Sequence, residues 1–173
     1  MISIIVAGSG SSGNCTVLKD NKTGKALVVD CGISPPPLLR FEDVVGVLIT
    51  HSHNDHVHNI RELRSKPIYG TKEELTVDKV RKALYDDYSN VTYVTSLSKY
   101  EIGPFTITPY SAEHDTPNPV HYKIETKDDS VWYGCDACSY DDEVVFAAAT
   151  SCKKIMLECN YDEDLMEEDN HFI

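Results

Sequence analysis

The 173-residue sequence has no long apolar segment, and this absence excludes several classes of protein. No stretch approaches the roughly 18 consecutive apolar residues of a membrane-spanning helix, so we expect no association with a membrane. The segment 1–14 also lacks the basic start and the extended apolar region of a secretion signal. Its short apolar run predicts a first β-strand instead, and we expect a soluble protein of the cytoplasm.

Two motifs that could bind a ligand are incomplete. Cys135 and Cys138 form a C-x-x-C pair, but no second pair is present to complete a tetrahedral zinc site. Several of the six cysteines lie in apolar runs, which favours buried core residues in a reducing compartment over disulfides. The loop 8–14 is rich in glycine and serine but lacks the spacing of a nucleotide-binding P-loop. We therefore interpret it as a tight turn in preference to a phosphate-binding loop.

Basic residues are few: 16 Lys and Arg stand against 28 Asp and Glu, a formal net charge of −12. Such a negative field repels polyanions, so binding of nucleic acid over the whole surface is disfavoured. Metal cations in a cleft can nevertheless attract a phosphate against that background. Any contact with nucleic acid is therefore expected at a local site.

The chain contains no linker, low-complexity segment or short repeat, which predicts a single domain over residues 1–173. Short β-branched runs alternate with turns and helical stretches. The predicted strands are 2–7, 16–19, 26–30, 44–50, 92–94, 105–110, 120–126, 131–135 and 154–158. The predicted helices are 55–64, 72–85, 140–149 and one just after residue 161. Two halves of mixed strands and helices predict two sheets packed together, with helices outside.

Four potential metal ligands fall within six residues, directly after the apolar strand 44–50: His51, His53, Asp55 and His56. Side chains two residues apart in an extended segment point the same way, so His51 and His53 can converge on one ion. Asp55 and His56 follow where the chain turns into a helix, and they would face a second position nearby. The alternative, a solvated turn with incidental histidines, does not account for this spacing.

This H-x-H-x-D-H pattern after an apolar strand resembles the signature of the metallo-β-lactamase superfamily, and the resemblance covers nearly the whole chain. It implies an α/β fold with four αββα layers. The loop 8–15, the stretch 114–122 and the segment 158–162 are similar to the YycJ-like branch, which is regarded as DNA exonuclease-like. The resemblance further implies a two-metal site: His51, His53 and His114 hold the first ion, Asp55 and His56 hold the second, and Asp136 bridges the two.

The resemblance also implies supporting roles. Asp30 would act behind the ligands, Asp115 is a reasonable hydrogen-bond partner of a bound imidazole, and Asp55 would be catalytic as the proton acceptor for the attacking water. His58 and His121 are expected to be structural or pocket-lining residues instead of ligands.

The final histidine that family members supply to the second ion has no clear counterpart. Three explanations compete: the chain is truncated or short and lacks C-terminal elements of the fold, His171 substitutes, or the second ion binds weakly with water in place of histidine. We favour the first. The expectation is therefore one complete metal site and an impaired second one.

Imidazole and carboxylate ligands suit Zn²⁺ best, with Mn²⁺ or Fe as alternatives. Metal ions held in this way favour hydrolysis. Our leading hypothesis is a phosphodiesterase or nuclease whose substrate is nucleic acid or a nucleotide. One alternative is hydrolysis of a thioester, lactone or β-lactam. A second is a catalytically weak interaction module that binds one metal.

Overall fold

The computed structural model describes residues 1–37, 39–137 and 140–157, and its strands form two sheets. Numbered in chain order, the first sheet has the spatial order β1 (Ile2–Gly8), β2 (Cys15–Asp20), β3 (Ala26–Val29), β4 (Val44–Leu48), β5 (Ile68–Gly70) and β6 (Val91–Tyr93). Strands β1 to β3 are antiparallel, whereas β3 to β6 are parallel. Parallel pairing requires crossovers, and these carry helices to the outer face.

The second sheet is antiparallel except at one edge. Its order is β11 (Lys154–Leu157), β10 (Ser130–Gly134), β9 (Val120–Glu125), β8 (Phe105–Ser111) and β7 (Tyr100–Ile102). Strand β11 pairs in parallel with β10 after the crossover helix α4 (Glu143–Thr150). The other helices belong to the first half: α1 (Asn54–Val57), α2 (Lys72–Leu75) and α3 (Asp78–Ala83), with 3₁₀ turns at Phe41–Asp43 and Ile60–Leu63.

The buried side chains form three clusters that separate four layers. In β2, Val17 packs towards the helices of the first half, while its neighbour Leu18 packs towards the second sheet. Both are fully buried, because side chains alternate across a strand and both faces of this sheet are covered. Trp132 and Val145 belong to a third cluster, between the second sheet and α4. The predicted αββα four-layer fold is thereby confirmed, while a single domain over 1–173 stays a prediction.

The nine predicted strands lie within one or two residues of observed ones, although 154–158 ends at Leu157 because Glu158 is outside the described residues. The helix 140–149 begins later, after Asp142, whose side chain accepts the N–H groups of Val144 and Val145. The helix predicted after residue 161 also lies outside the described part. Within the described ranges, no helix has the length and apolar character that a bilayer crossing requires.

Two predicted helices are each interrupted in the structure, so the prediction of a continuous helix was wrong in both places. The segment 55–64 is interrupted at Asn59, whose N–H donates to Cys31 O at 2.8 Å and so leaves the helical pattern. The segment 72–85 is interrupted at Thr76 and Val77, where Val77 is extended and precedes α3. A tertiary hydrogen bond therefore accompanies the break in the first predicted helix, and two consecutive β-branched residues stand at the break in the second.

Asp129, in the turn between β9 and β10, links the two sheets. Its carboxylate accepts the N–H of Ile2 at 2.7 Å and that of Ser130 at 3.0 Å, and it forms an ion pair with Lys154. Burial alone would raise the pKa of Asp129, but Lys154 and the two N–H donors outweigh it and lower the pKa below 3.8. Because the folded-state pKa is the lower one, this contribution is present above about pH 4 and is lost as the pH falls through the lowered pKa.

We expect Asp129→Asn to lower the free energy of unfolding by about 2–3 kcal/mol, because hydrogen bonds to a buried charge are lost. Urea unfolding at pH 7 measures the change. The control is Asp128→Asn, at an exposed side chain 3.8 Å from Lys22, which should change stability by no more than about 0.5 kcal/mol. Equal effects of the two substitutions would contradict the prediction.

Candidate metal centre

The predicted site residues lie where strands of both sheets end. Asp30 follows β3, His51 comes three residues after β4, His114 lies in the loop after β8, and Asp136 lies two residues after β10. The sheets are joined here, because Val120 N–H donates to Thr50 O at 3.0 Å and the Tyr122 hydroxyl donates to Ile49 O at 2.8 Å. The carboxyl ends of strands are where α/β sheets commonly bind ligands.

Three imidazoles form a first group of possible ligands. His51, His53 and His114 each offer a nitrogen, and the three nitrogens lie within 4.8 Å of one another. His114 Nε2 is 3.0 Å from His53 Nδ1, although the two residues are 61 positions apart. His51 and His53 leave the strand in an extended segment, which directs both rings to the same side. The three nitrogens could therefore bind a single cation.

The orientation of His51 follows from its neighbour Thr50. A carboxylate can only accept, so the Thr50 hydroxyl donates to Asp30 at 2.8 Å and must accept the Nδ1–H of His51 at 3.0 Å. This leaves the lone pair of His51 on Nε2, a buried nitrogen that makes no hydrogen bond among the described residues and lies 3.4 Å from Asp136 Oδ2. Burial, followed by the proximity of His56, lowers the pKa of His51 to about 2. His51 is therefore a neutral imidazole, the form that binds metals.

A second group of donor atoms surrounds His56. Its Nε2 lies 2.7 Å from Asp136 Oδ2 and 3.6 Å from Asp55 Oδ2. Asp136 Oδ2 thus contacts both His51 Nε2 and His56 Nε2, which belong to the two predicted metal positions. Five of the six predicted ligands thus fall into two groups of mutually close donor atoms, which have His51 in common. Asp55 lies beside the second group through its contact with His56. Metal binding by these residues stays a prediction.

Asp30 supports His56 from behind. Asp30 Oδ2 accepts the Nδ1–H of His56 at 2.9 Å, and both residues are completely buried. Burial favours neutral His56, but Asp30 and then Asp136 outweigh it and raise the pKa of His56. Surroundings negative enough to retain a proton on His56 would also favour a divalent cation. Asp30 and Asp136 both adopt positive φ, at 56° and 47°, a conformation that Asp tolerates better than most residues.

Comparison with known proteins identifies the family of this chain. A family model described as "Beta-lactamase superfamily domain" matches residues 26–172, most of the chain. The chain belongs to the metallo-β-lactamase superfamily. A solved structure, the metallo-β-lactamase fold protein YhfI from Bacillus subtilis, superimposes with a TM-score of 0.73 at 20% identity, covering 95% of this chain and 74% of that one.

Two curated relatives confirm the predicted similarity to the YycJ-like branch. Exodeoxyribonuclease WalJ of Streptococcus pneumoniae is 25% identical over 178 residues, covering 96% of this chain and 65% of that protein. Exodeoxyribonuclease YycJ of Bacillus anthracis is 22% identical over 173 residues, covering 93% and 64%. The superfamily domain described here thus spans slightly less than two thirds of the length of these relatives.

Asn14 is a site residue that sequence reasoning missed. Its Nδ2 lies 2.8 Å from His56 Nε2 and 3.3 Å from Asp55 Oδ2, while its Oδ1 accepts the N–H of Gly10 at 2.9 Å. The amide thus presents its N–H side to the second group of ligands. The glycine-rich loop that we interpreted as a tight turn therefore reaches the site, and the signal lay in the asparagine that ends it.

Gly32 shows how closely this loop approaches the ligand segment. Asn14 N–H donates to Asp55 O at 2.6 Å, and Gly32 N–H donates to Asn14 O at 2.8 Å. A Cβ atom on Gly32 would lie only 1.6 Å from Asp55 O. Only glycine allows the two backbones to pass at this distance.

Cys135 was also missed as a neighbour of the ligands. Its Sγ lies 3.7 Å from Thr50 Oγ1 and 3.9 Å from Asp30 Oδ2, on the side where the imidazole Nδ1 atoms are already hydrogen-bonded. Burial raises the pKa of Cys135 to about 12, so it is a neutral thiol. Although its sulfur is within reach of a cluster with His51, His56 and Asp136, we interpret Cys135 as a supporting residue behind the ligands.

The residues predicted to support the ligands or to line the pocket differ in their burial and contacts. Asp115 Oδ1 lies 3.3 Å from His53 Nε2 and 3.2 Å from His114 Nε2, and its supporting role stays a prediction. His58 is exposed. His121 is buried and stacked on Tyr140, with ring centroids 5.1 Å apart, and burial lowers its pKa to about 4. His171 and Cys138 lie outside the described residues.

Proposed function

We propose that this superfamily domain is a metal-dependent hydrolase that cleaves phosphodiester bonds in nucleic acid or nucleotides. The observation that carries the proposal is the position of Asp136 Oδ2 between His51 Nε2 and His56 Nε2, which joins two groups of ligand atoms. The names of the curated relatives, exodeoxyribonucleases WalJ and YycJ, support the choice of a phosphodiester substrate.

The donor set fits divalent cations. His51, His53 and His114 would hold one ion through nitrogen, a preference that points to Zn²⁺. Asp55 and His56 would hold the other, with Asp136 shared between them. The carboxylates in this second group also suit Mn²⁺ or Fe. The buried Nε2 of His51, which makes no hydrogen bond among the described residues, is the clearest sign that a ligand is expected there.

Bound divalent ions would lower the pKa of a water molecule and stabilise negative charge on a phosphoryl oxygen. The protein would provide the proton transfer and the orientation. Asp55, partly exposed beside His56, would accept the proton of the attacking water. Asp30 and Thr50 hold the His51 and His56 rings so that both Nε2 atoms face the site. Asn14 would keep the Asp55 carboxylate in place through its Nδ2 donor.

The acidic surface restricts the class of substrate that the protein can bind. A net charge of −12 opposes binding of a long duplex along the molecule. A short single strand or a nucleotide needs only local attraction at the metal site. We therefore propose single-stranded nucleic acid or nucleotides as the preferred class.

Metal removal and restoration test this function. We expect the protein to hydrolyse a bis-aryl phosphodiester and a labelled single-stranded DNA, to lose both activities on dialysis against a chelator, and to regain them with Zn²⁺ or Mn²⁺. The measurement is turnover, with metal content determined in the same samples.

A substrate panel separates the alternatives. Turnover of a thioester, lactone or β-lactam without any phosphodiester cleavage would replace the proposed reaction. One bound metal equivalent or none, without turnover of any substrate, would favour an interaction module. Phosphodiester cleavage that survives complete metal removal would contradict the mechanism itself.

A further inference from the structure

Glu74, in α2, is a carboxylate that the proposed chemistry does not use. Glu74 is completely buried. Burial of an ionised carboxylate costs free energy unless the carboxylate is hydrogen-bonded. Two backbone donors meet this requirement: Ser52 N–H donates to Oε2 and Asn118 N–H donates to Oε1, each at 2.7 Å. Each carboxylate oxygen of Glu74 is therefore engaged by a separate segment of the chain.

These two segments are the ones that carry the first group of predicted ligands. Ser52 stands between His51 and His53, and Asn118 lies in the loop that contains His114. The loop is closed on itself, because Ala112 N–H donates to Pro119 O at 3.0 Å. Glu74 is thus a direct hydrogen-bonded connection between two strand exits that are far apart in sequence.

The residue before α2 strengthens the same connection. Thr71, which is also buried, donates its hydroxyl hydrogen to Asn118 O at 2.8 Å. Asn118 is therefore held through its N–H by Glu74 and through its carbonyl by Thr71. The start of α2 fixes the position of the His114 loop relative to the segment 51–53.

We infer that Glu74 is a positioning residue of the metal centre, which holds His114 beside His51 and His53 so that the three imidazoles are arranged for a cation before it binds. The inference rests on the proposed metal site. Glu74 acts through backbone groups, so its effect should appear in metal affinity and ligand geometry. Prearranged ligands bind a cation more tightly, because less ordering accompanies binding.

The test is Glu74→Gln, which retains the size of the side chain but replaces one acceptor oxygen by an NH₂ group. That group cannot accept an N–H, so one of the two connections is lost. We expect the affinity of the metal-free protein for Zn²⁺, measured by chelator competition, to fall roughly tenfold or more. The visible absorption spectrum of the Co²⁺-loaded protein should also change, because it reports ligand geometry directly.

The control is Glu73→Gln, on the same helix. Glu73 is exposed, and its carboxylate accepts from its own backbone N–H and from the side chain of Asn118, the latter at 3.1 Å. Its substitution removes the same charge and should leave the Zn²⁺ affinity and the Co²⁺ spectrum unchanged. If Glu74→Gln does not fold, Glu74→Asp takes its place, since a shorter carboxylate retains the charge but cannot reach both donors.

The outcomes are distinguishable. A folded Glu74 variant with a lower thermal midpoint but wild-type Zn²⁺ affinity and Co²⁺ spectrum would reduce Glu74 to a structural residue and overturn the inference. An equal loss of affinity in Glu73→Gln would overturn it too, because the lost charge or the exposed contact with the Asn118 side chain would then explain the effect. A wild-type protein that binds Zn²⁺ without hydrolysing phosphodiesters would overturn the proposed function and leave the inference standing.

Discussion

Replacing His51 by alanine is expected to abolish phosphodiester hydrolysis and to weaken Zn²⁺ binding by more than about 100-fold, above the effect of losing a supporting residue. His51 is buried, and Thr50 directs its Nε2 towards Asp136 and the other two imidazoles. Alanine leaves no donor atom in that position. His53→Ala should cause a comparable loss, because its Nδ1 lies 3.0 Å from His114 Nε2 in the same group.

The measurement is turnover of a bis-aryl phosphodiester together with the number of Zn²⁺ ions bound per chain. His58→Ala is the matched control: it makes the same chemical change two residues beyond the motif, at an exposed position. It should retain wild-type turnover and metal content. Hydrolysis that persists in both His51→Ala and His53→Ala would exclude the proposed metal site.

The fold was predictable where local pattern and tertiary structure agree. Alternating runs such as 105–110 and 120–126 predict strands, and both form them. Strands β5 and β7 were not predicted, since each has three residues, which are too few to establish a pattern. The break at Asn59 depends on a hydrogen bond to Cys31, 28 positions earlier, which no local pattern contains.

The site residues also divide into those with a local sequence pattern and those that depend on tertiary contacts. Four of the predicted ligands lie within six consecutive residues, namely His51, His53, Asp55 and His56. The geometry of one strand exit is therefore enough to predict that they act together. His114 and Asp136 were assigned only through the family resemblance, because their approach depends on how the second sheet packs against the first. Glu74 and Asn14 have no motif of their own, and their roles arise from contacts made across the fold.

Asp30, which is not among the predicted ligands, determines which nitrogen of His56 faces the predicted metal site. Its Oδ1 accepts the Thr50 N–H at 2.9 Å, and its Oδ2 accepts from the Thr50 hydroxyl at 2.8 Å and from His56 Nδ1 at 2.9 Å. Because Asp30 holds the proton on Nδ1, Nε2 is the nitrogen that would give up its proton to a cation and serve as the donor atom. A carboxylate is required for this, since it is the one group that accepts at both oxygens.

Asp30→Asn should therefore reverse the His56 tautomer without changing the size of the side chain. The amide oxygen can still accept the Thr50 N–H, which leaves the NH₂ group facing His56 Nδ1. To accept that hydrogen, the imidazole must carry its own proton on Nε2, where it blocks coordination. We expect the second group of ligands to bind Zn²⁺ roughly 10–100-fold more weakly, with a corresponding loss of phosphodiester turnover.

Nitrogen-15 NMR of the histidine rings distinguishes this mechanism from simple destabilisation, because it reports whether Nδ1, Nε2 or both ring nitrogens of His56 are protonated. Asp20→Asn is the control, at a buried aspartate that ends β2, accepts from Thr23 and is not among the site residues. It should lower stability while leaving the protonation of His56 and the Zn²⁺ affinity unchanged. If Asp30→Asn keeps the proton on His56 Nδ1 and binds Zn²⁺ as tightly as the wild type, Asp30 does not set the orientation of this ligand.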